Sequence, residues 1–298
     1  MIRFFLDAFK ITNNNIILAT PLILFMLLTT IYNSILSSGS ANFLVVLLGL
    51  FTSLFMWAAF LSGWFFIIRQ AILYHFENIS REEKAKKSFG LMSLMVKGIG
   101  KYFLPFIWFL LLEIIFFIIF VILVHYIGVS FIGKLNIPTN EFFASVNTNS
   151  PEVIEGFINS LPREEIVKLA KWIYLCMLTF PVFLFLQMFW ASSIVKDTTN
   201  IFKALWRSLK FLFCNFASTF IFFIMIGVLH FCIMLLCGIL SVNSILSYFS
   251  LLIYFYFMVY IAVLVFLFYE KYEKKGCSGS GSDSIGQDSL CCTTGKED

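Results

Sequence analysis

The sequence predicts an all-α, polytopic membrane protein: six transmembrane helices arranged as three hairpins, with juxtamembrane amphipathic helices. Hydrophobic residues make up 60% of its 298 residues and charged residues 13%, about half the charged fraction of a soluble protein. The apolar residues form long runs, whereas barrel strands would alternate apolar and polar positions. In lipid only helices and closed barrels satisfy the backbone, so the runs predict helices.

Six runs are long enough to cross a hydrocarbon core of about 30 Å, which takes roughly 20 helical residues. They cover residues 16–36, 43–68, 103–126, 172–195, 216–240 and 247–269 of a domain that extends over residues 1–275. Short links join the first span to the second and the fifth to the sixth, so each pair predicts a tight antiparallel hairpin. The first run exceeds the 7–15 apolar residues of a signal peptide, which disfavours cleavage at the small residues 37–41.

Basic residues predict the orientation of the spans. Seventeen Lys and Arg residues lie in the N-terminal segment, the loops after spans two and four, and the C-terminal tail. Only Lys134, Arg163, Lys168 and Lys171 lie on the opposite side. This asymmetry predicts a multi-pass protein of the cell membrane with both termini in the cytoplasm.

The long outer loop, residues 127–171, carries two helix signals. Ser150 and Pro151 resemble an N-cap followed by proline at the first helical position, and Pro162 precedes a second helix that we expect to continue into span four. The tail, residues 276–298, is rich in Ser and Gly without apolar periodicity and predicts a disordered cytoplasmic segment. Its cysteines lack zinc-site spacing, and no metal or other cofactor is expected.

A threefold pattern relates the hairpins. Each is preceded by a basic, partly amphipathic stretch, covering residues 4–15, 88–102 and 201–215. Aligning Lys10 with Lys210 also aligns Asn15 with Asn215. In the middle stretch, Ser93-Leu94 is the nearest counterpart of Ser208-Leu209. The pattern predicts three repeats of in-plane helix, span, turn and span.

The segment from Asp197 to Lys210, with its acidic residue, spacer and Ala-Leu-Trp-Arg-Ser run, resembles a known family. This family comprises poorly characterised six-span bacterial membrane proteins that are similar to the membrane domain of glycerophosphodiester phosphodiesterases. The resemblance implies a six-helix fold and an envelope location. It implies no catalytic residues, because that domain is the non-catalytic part of those enzymes.

Three polar residues within the spans form a candidate intramembrane cluster. Glu113, Gln187 and His230 lie about 15, 12 and 21 Å from the basic ends of their spans, at 1.5 Å per residue. Ionisable residues at such depth are rare and often functional. They could form a proton relay or cation site, or Glu113 could be neutral and hydrogen-bonded to Gln187 or a backbone carbonyl.

The basic stretches offer a second candidate site, because cations near the inner membrane surface attract anionic lipid headgroups. The expected contacts are Lys84, Lys86, Lys87, Lys97, Lys101, Lys203, Arg207 and Lys210. The segment 80–101 is expected to lie along the inner surface, and Ala59 with Gly63 is expected to allow a close helix approach.

These observations favour a non-enzymatic envelope scaffold or an accessory subunit of a larger complex. Its expected partners are the lipid bilayer, other membrane proteins or further copies of itself, and not nucleic acid. A small-solute or ion transporter using Glu113 is the alternative, to which the prolines within spans also point. A membrane-embedded lipid enzyme ranks third, because Asp197 and Thr198 alone do not make a catalytic cluster.

Overall fold

The computed structural model describes residues 2–38, 43–77, 81–136 and 150–278. Every regular element among them is helical. Helices α1 to α10 cover Ile2–Asn14, Ala19–Ser38, Phe43–Phe76, Arg81–Phe131, Pro151–Ser160, Arg163–Gln187, Trp190–Lys196, Ile201–Cys214, Phe216–Leu240 and Ser244–Ser278. A short 3-10 turn, Ile16–Leu18, precedes α2.

Six helical stretches are long and apolar enough to cross a membrane, which confirms the predicted fold class. They are Ile16–Leu36, Phe43–Phe76, Lys86–Phe131, Arg163–Lys196, Phe216–Leu240 and Leu246–Tyr272. The chain is therefore a multi-pass membrane protein. The side of the protein that carries most basic residues is here called the basic face. Spans two, four and six end at this face, and spans one, three and five start there.

Both helices predicted in the outer loop are present. Helix α5 begins at Pro151 after Ser150, although the Ser150 side chain makes no capping hydrogen bond. Helix α6 begins at Arg163 and continues into span four, as expected. Residues 137–149 of the loop and 279–298 of the tail lie outside the described residues. Helix α10 includes residues 276–278, the first three of the predicted tail.

Span four is interrupted, although its sequence predicts one continuous helix. Helix α6 ends at Gln187 and α7 begins at Trp190. Phe189, between them, is fully buried against the rings of Phe211, Phe268 and Tyr269, with centroid distances of 5.0–5.8 Å. The turn in span four therefore coincides with the burial of this ring.

The described residues form two compact units. The first contains the chain up to Leu110 and from Gln187 onward, and the second is Leu111–Leu186. In the second unit Trp172 packs directly on Gly128 and leaves no space for a Cβ there. Its Nε1 donates a hydrogen bond to Gly133 O at 3.2 Å, which ties the end of α4 to α6.

Glu165 adds a polar connection within the second unit. Its carboxylate is buried, accepts a hydrogen bond from the Asn136 backbone N–H at 3.1 Å and pairs with Lys168 Nζ at 2.7 Å. A buried charge requires such partners. The end of span three and the start of span four are therefore joined by specific contacts.

The predicted repeat is visible in the first unit as a constant offset of 200 residues. Asn15 and Asn215 have φ, ψ values of −127°, 48° and −116°, 30°. Each amide Nδ2 donates to the carbonyl four residues earlier, Ile11 O at 2.8 Å and Phe211 O at 3.1 Å. Both side chains therefore end the helix that precedes a span in the same way, α1 in one case and α8 in the other.

The middle repeat differs, because its basic stretch and span three form one continuous helix, α4. The pattern of burial aligns Lys97 with Lys210 and places Tyr102 at the position of Asn215, since Leu91 and Ala204 are both fully buried. The alignment of Ser93 with Ser208 predicted from the sequence is therefore shifted by two residues. Tyr102 lacks the side-chain amide with which Asn15 and Asn215 bond the carbonyl four residues earlier, and the helix continues.

The three basic stretches pack in a cyclic order within the first unit. Helix α1 contacts α10, which contains span six, and α8 contacts α7, the end of span four. Residues 95–99 of α4 contact α3 of span two, where Gly63 faces Met95 and Gly98 faces Phe66. Each stretch thus packs on the second span of the preceding hairpin, and the close approach predicted at Gly63 is confirmed.

Candidate functional site at the basic face

A polar cluster joins the basic-face ends of spans two, three, four and six, and comprises Arg69, Tyr102, Ser193, Asp197 and Tyr269. Arg69 Nη1 and Tyr102 OH both donate to Val195 O, at 2.7 and 3.0 Å. Ser193 Oγ and the Tyr269 hydroxyl both donate to Asp197 Oδ2, at 3.0 and 2.5 Å. These bonds connect residues up to 126 positions apart in the chain.

The electrostatics of the cluster follow from the end of α7. The last carbonyls of a helix lack intrahelical partners and carry partial negative charge. The Arg69 guanidinium supplies both a donor and a positive charge to one of these carbonyls. Asp197, at the same helix end, would oppose the helix dipole, and the two hydroxyl donors stabilise its carboxylate.

Arg69 and Tyr269 occupy equivalent positions in the first and third repeats, since they are 200 residues apart at the ends of spans two and six. Their neighbours share this equivalence, because Ile67, Ile68, Leu267 and Phe268 are all fully buried. The polar cluster therefore lies where equivalent span ends meet the end of span four. The arrangement can hold these ends together, and no group of His, Cys, Asp and Glu among the described residues has metal-binding geometry.

Some polar atoms near this face are buried and have no hydrogen-bond partner in the part of the chain that the structure describes. They are Thr12 Oγ1, Arg69 Nε, Ser192 Oγ and Ser208 Oγ. Thr12 and Ser208 lie on the buried sides of α1 and α8, and Ser192 lies in α7 next to the cluster. Thr12, Ser192 and Ser208 are all almost completely buried.

The exposed sides of α1 and α8 form the second part of the site. Arg3 and Lys10 on α1 are exposed, as are Lys203, Arg207 and Lys210 on α8. The opposite sides are buried through Ala8, Ile11, Ala204, Phe211 and Leu212. Exposed apolar side chains accompany the cations, namely Leu6, Phe9, Phe202, Trp206 and Phe213.

The lipid contacts predicted from the sequence fall into three groups. Lys86, Lys97, Lys101, Lys203, Arg207 and Lys210 are exposed. Lys87 is engaged in an ion pair with Glu77 at 2.6 Å and lies over the Tyr74 ring. Lys84 belongs to α4, but its side chain lies outside the described residues.

The predicted intramembrane cluster is distributed over the two units. Glu113 lies in the second unit and is half-buried; its Oε2 has no hydrogen-bond partner among the described residues. Gln187 is the last residue of α6, and His230 is exposed on α9 with its ring 5.8 Å from that of Phe257. The convergence of these three residues stays a prediction.

Arg69, Tyr102, Ser193 and Tyr269 were not recognised as site residues from the sequence. Arg69 contributed only to the count of basic residues, and both tyrosines resemble ordinary interfacial aromatics. The offset of 200 residues, extended from Asn15 and Asn215 to the second spans, would have paired Arg69 with Tyr269. Asp197 was noted in the sequence, but its partners come from distant segments.

No protein-family model, no curated protein and no solved structure matches this chain. The resemblance drawn from residues 197–210 therefore stays a prediction.

Proposed function

We propose that the protein is a non-enzymatic scaffold or accessory subunit of a bacterial cell membrane that binds anionic lipid headgroups at its basic face. We place this face, with both termini, in the cytoplasm because of the distribution of basic residues. The observation that carries the proposal is the pair of amphipathic helices α1 and α8. Each buries one side against the spans and exposes cations with large apolar side chains on the other.

The exposed composition of these helices fits a membrane interface. An amphipathic helix in the interface inserts apolar side chains below the headgroups while its Lys and Arg residues attract anionic lipids. Each basic residue near such a surface contributes about 1 kcal/mol. Trp206, 70% exposed on α8, is of the residue type enriched at this depth.

The polar cluster supports a structural rather than a chemical role at this face. Arg69 and Tyr102 donate to one carbonyl, and Ser193 and Tyr269 to one carboxylate. Such bonds fix the ends of the spans on which α1 and α8 pack. A rigid support for lipid-binding helices is what a scaffold requires, and partner subunits or further copies would attach to the exposed apolar sides of the spans.

The test measures thermal unfolding of the purified full-length protein in micelles that contain phosphatidylglycerol or phosphatidylcholine. A ligand that binds the folded state raises the unfolding temperature, so we expect greater stability with the anionic lipid. The double variant Lys203→Gln/Lys210→Gln should lose most of that difference, about 1 kcal/mol per cation. Lys134→Gln/Lys171→Gln, which removes two exposed cations from the other face, should retain it. Equal wild-type stability in both lipids would refute the proposal.

A second candidate function is transport of a small solute or ion. It is favoured by the buried carboxylate oxygen of Glu113, which has no hydrogen-bond partner among the described residues. Under the scaffold proposal Glu113→Gln should restore the phenotype of a deletion strain fully, because the amide keeps the shape and polarity. Glu113→Leu should cost at most about 1–2 kcal/mol of stability, the range for hydrogen bonds between membrane helices. A Gln variant that is folded and inserted but inactive would instead support transport, because an amide carries no proton.

A further inference from the structure

The equivalent helices α1 and α8 differ at one position of their cationic sides. With the offset of 200, Arg3 corresponds to Lys203 and Lys10 to Lys210, so the outer two positions are basic in both. The middle position is Asp7 in α1 and Arg207 in α8. The molecule thus contains two versions of one surface that differ in charge at a single place.

The two middle residues also differ in their contacts. Asp7 pairs with Lys271 of α10 at 2.8 Å, so it takes part in an internal ion pair. Arg207 is exposed and makes no ion pair with any residue that the structure describes. The α8 side therefore presents three free cations in a row, whereas the α1 side presents two that are separated by an ion pair.

The three cations of α8 form a compact stripe. At 3.6 residues per turn, Lys203, Arg207 and Lys210 lie within about 60° of the helix circumference and span about 10 Å along its axis. Exposed aromatic residues border the stripe on one side, namely Phe202, Trp206 and Phe213. Aromatic rings at this place would enter the interface and hold the stripe at the depth of lipid phosphates.

We propose that Lys203, Arg207 and Lys210 form a site for a lipid headgroup that carries two phosphates, and that the matching side of α1 does not. This inference rests on the proposed lipid-binding function and specifies its ligand. A guanidinium holds one phosphate through two parallel hydrogen bonds, while an ammonium acts as a point charge. Once the first phosphate is bound, the second phosphate of the same lipid lies close to the neighbouring Lys. This proximity favours one lipid with two separate phosphates over two lipids with one phosphate each.

The experiment compares cardiolipin with phosphatidylglycerol, supplied to the full-length protein in detergent at equal phosphate concentration. Bound lipids are counted by native mass spectrometry. The wild type should retain cardiolipin at least about fivefold better than phosphatidylglycerol, because contact with one additional cation corresponds to a factor of about five in affinity. Arg207→Asp, which places in α8 the residue that α1 carries, should reduce this preference to parity while phosphatidylglycerol still binds.

Lys10→Asp serves as the matched control, because it changes the charge equally on α1 and leaves the α8 stripe intact. It should preserve the preference for cardiolipin. Arg207→Gln, which adds no negative charge, should also lower the preference. If Arg207→Asp retains the full preference, or if the wild type binds both lipids equally, the proposed site for a lipid with two phosphates is refuted while the scaffold proposal stands. If the wild type retains neither lipid, both proposals fail.

Discussion

At the scale of single residues, the contacts of Asp197 explain how distant helices are connected. Its carboxylate lies at the C-terminal end of α7, where the helix dipole disfavours a negative charge. Donation by Ser193 and Tyr269 offsets this cost. Because Tyr269 belongs to span six, the same bond that stabilises the carboxylate also joins two spans.

Tyr269→Phe should therefore lower the free energy of unfolding by about 1–2 kcal/mol, the range for one hydrogen bond to a charged group. The ring would keep its contacts with Phe189 and Phe211, so only the hydroxyl is removed. Thermal unfolding in a single detergent measures the change. Tyr272→Phe is the control, because Tyr272 stacks on Phe4 and Phe268 and its hydroxyl bonds no described residue. Equal effects of the two substitutions would show that the bond to Asp197 contributes nothing.

At the scale of elements, glycine determines how closely the basic stretch of α4 approaches span two. A Cβ added to Gly98 would lie 2.7 Å from Phe66 Cβ, whereas one added to Gly100 would meet nothing within 4 Å. Both glycines lie inside the same continuous helix. They therefore separate the packing role of glycine from its effect on helix propensity.

Gly98→Ala and Gly100→Ala should change stability in opposite directions. The first should destabilise the protein by about 1–3 kcal/mol, because the extra methyl group forces α4 away from α3. The second should stabilise it by roughly 0.5–1 kcal/mol, because alanine loses less conformational freedom in a helix. Unfolding temperatures of both variants, recorded in the same detergent, provide the comparison. A rise for both would mean that the contact with Phe66 relaxes without cost.

At the scale of the whole molecule, the alternation of six spans predicts two groups of loops and helix ends on opposite sides of the membrane. Helix α5 and the start of α6 are expected on one side, and α1, α8 and the start of α4 on the other. The strong excess of Lys and Arg on the second side predicts that it faces the cytoplasm.

Cysteine labelling of intact cells tests this orientation. Gly156 in α5 and Gly90 in α4 are both exposed, and a Cβ at either meets nothing within 4 Å, so a cysteine at each is compatible with the fold. In a variant without the native cysteines, Gly156→Cys should react with a membrane-impermeant maleimide from outside. Gly90→Cys should react only after permeabilisation. The reverse result would invert the topology and move the proposed lipid sites to the outer leaflet.

The sequence by itself determined the features that depend on neighbouring residues. Apolar runs specified six spans, Pro151 and Pro162 marked the starts of α5 and α6, and Asn15 with Asn215 marked the ends of the amphipathic helices α1 and α8. These signals are local, because helix formation and membrane insertion respond to composition within one or two turns. The exposed cations of α8 were predicted for the same reason, since an amphipathic period is visible in the sequence.

Only the tertiary structure decided which distant residues meet. Arg69, Tyr102, Asp197 and Tyr269 come from four different spans, and no local pattern relates them. The register of the middle repeat was decided in the same way, since the burial of Leu91 and Tyr102 depends on contacts with other helices. The interruption of span four coincides with the burial of Phe189 among aromatic rings of other helices. Hydrogen bonds and packing between spans depend on proximity in space, whereas the sequence records only proximity along the chain.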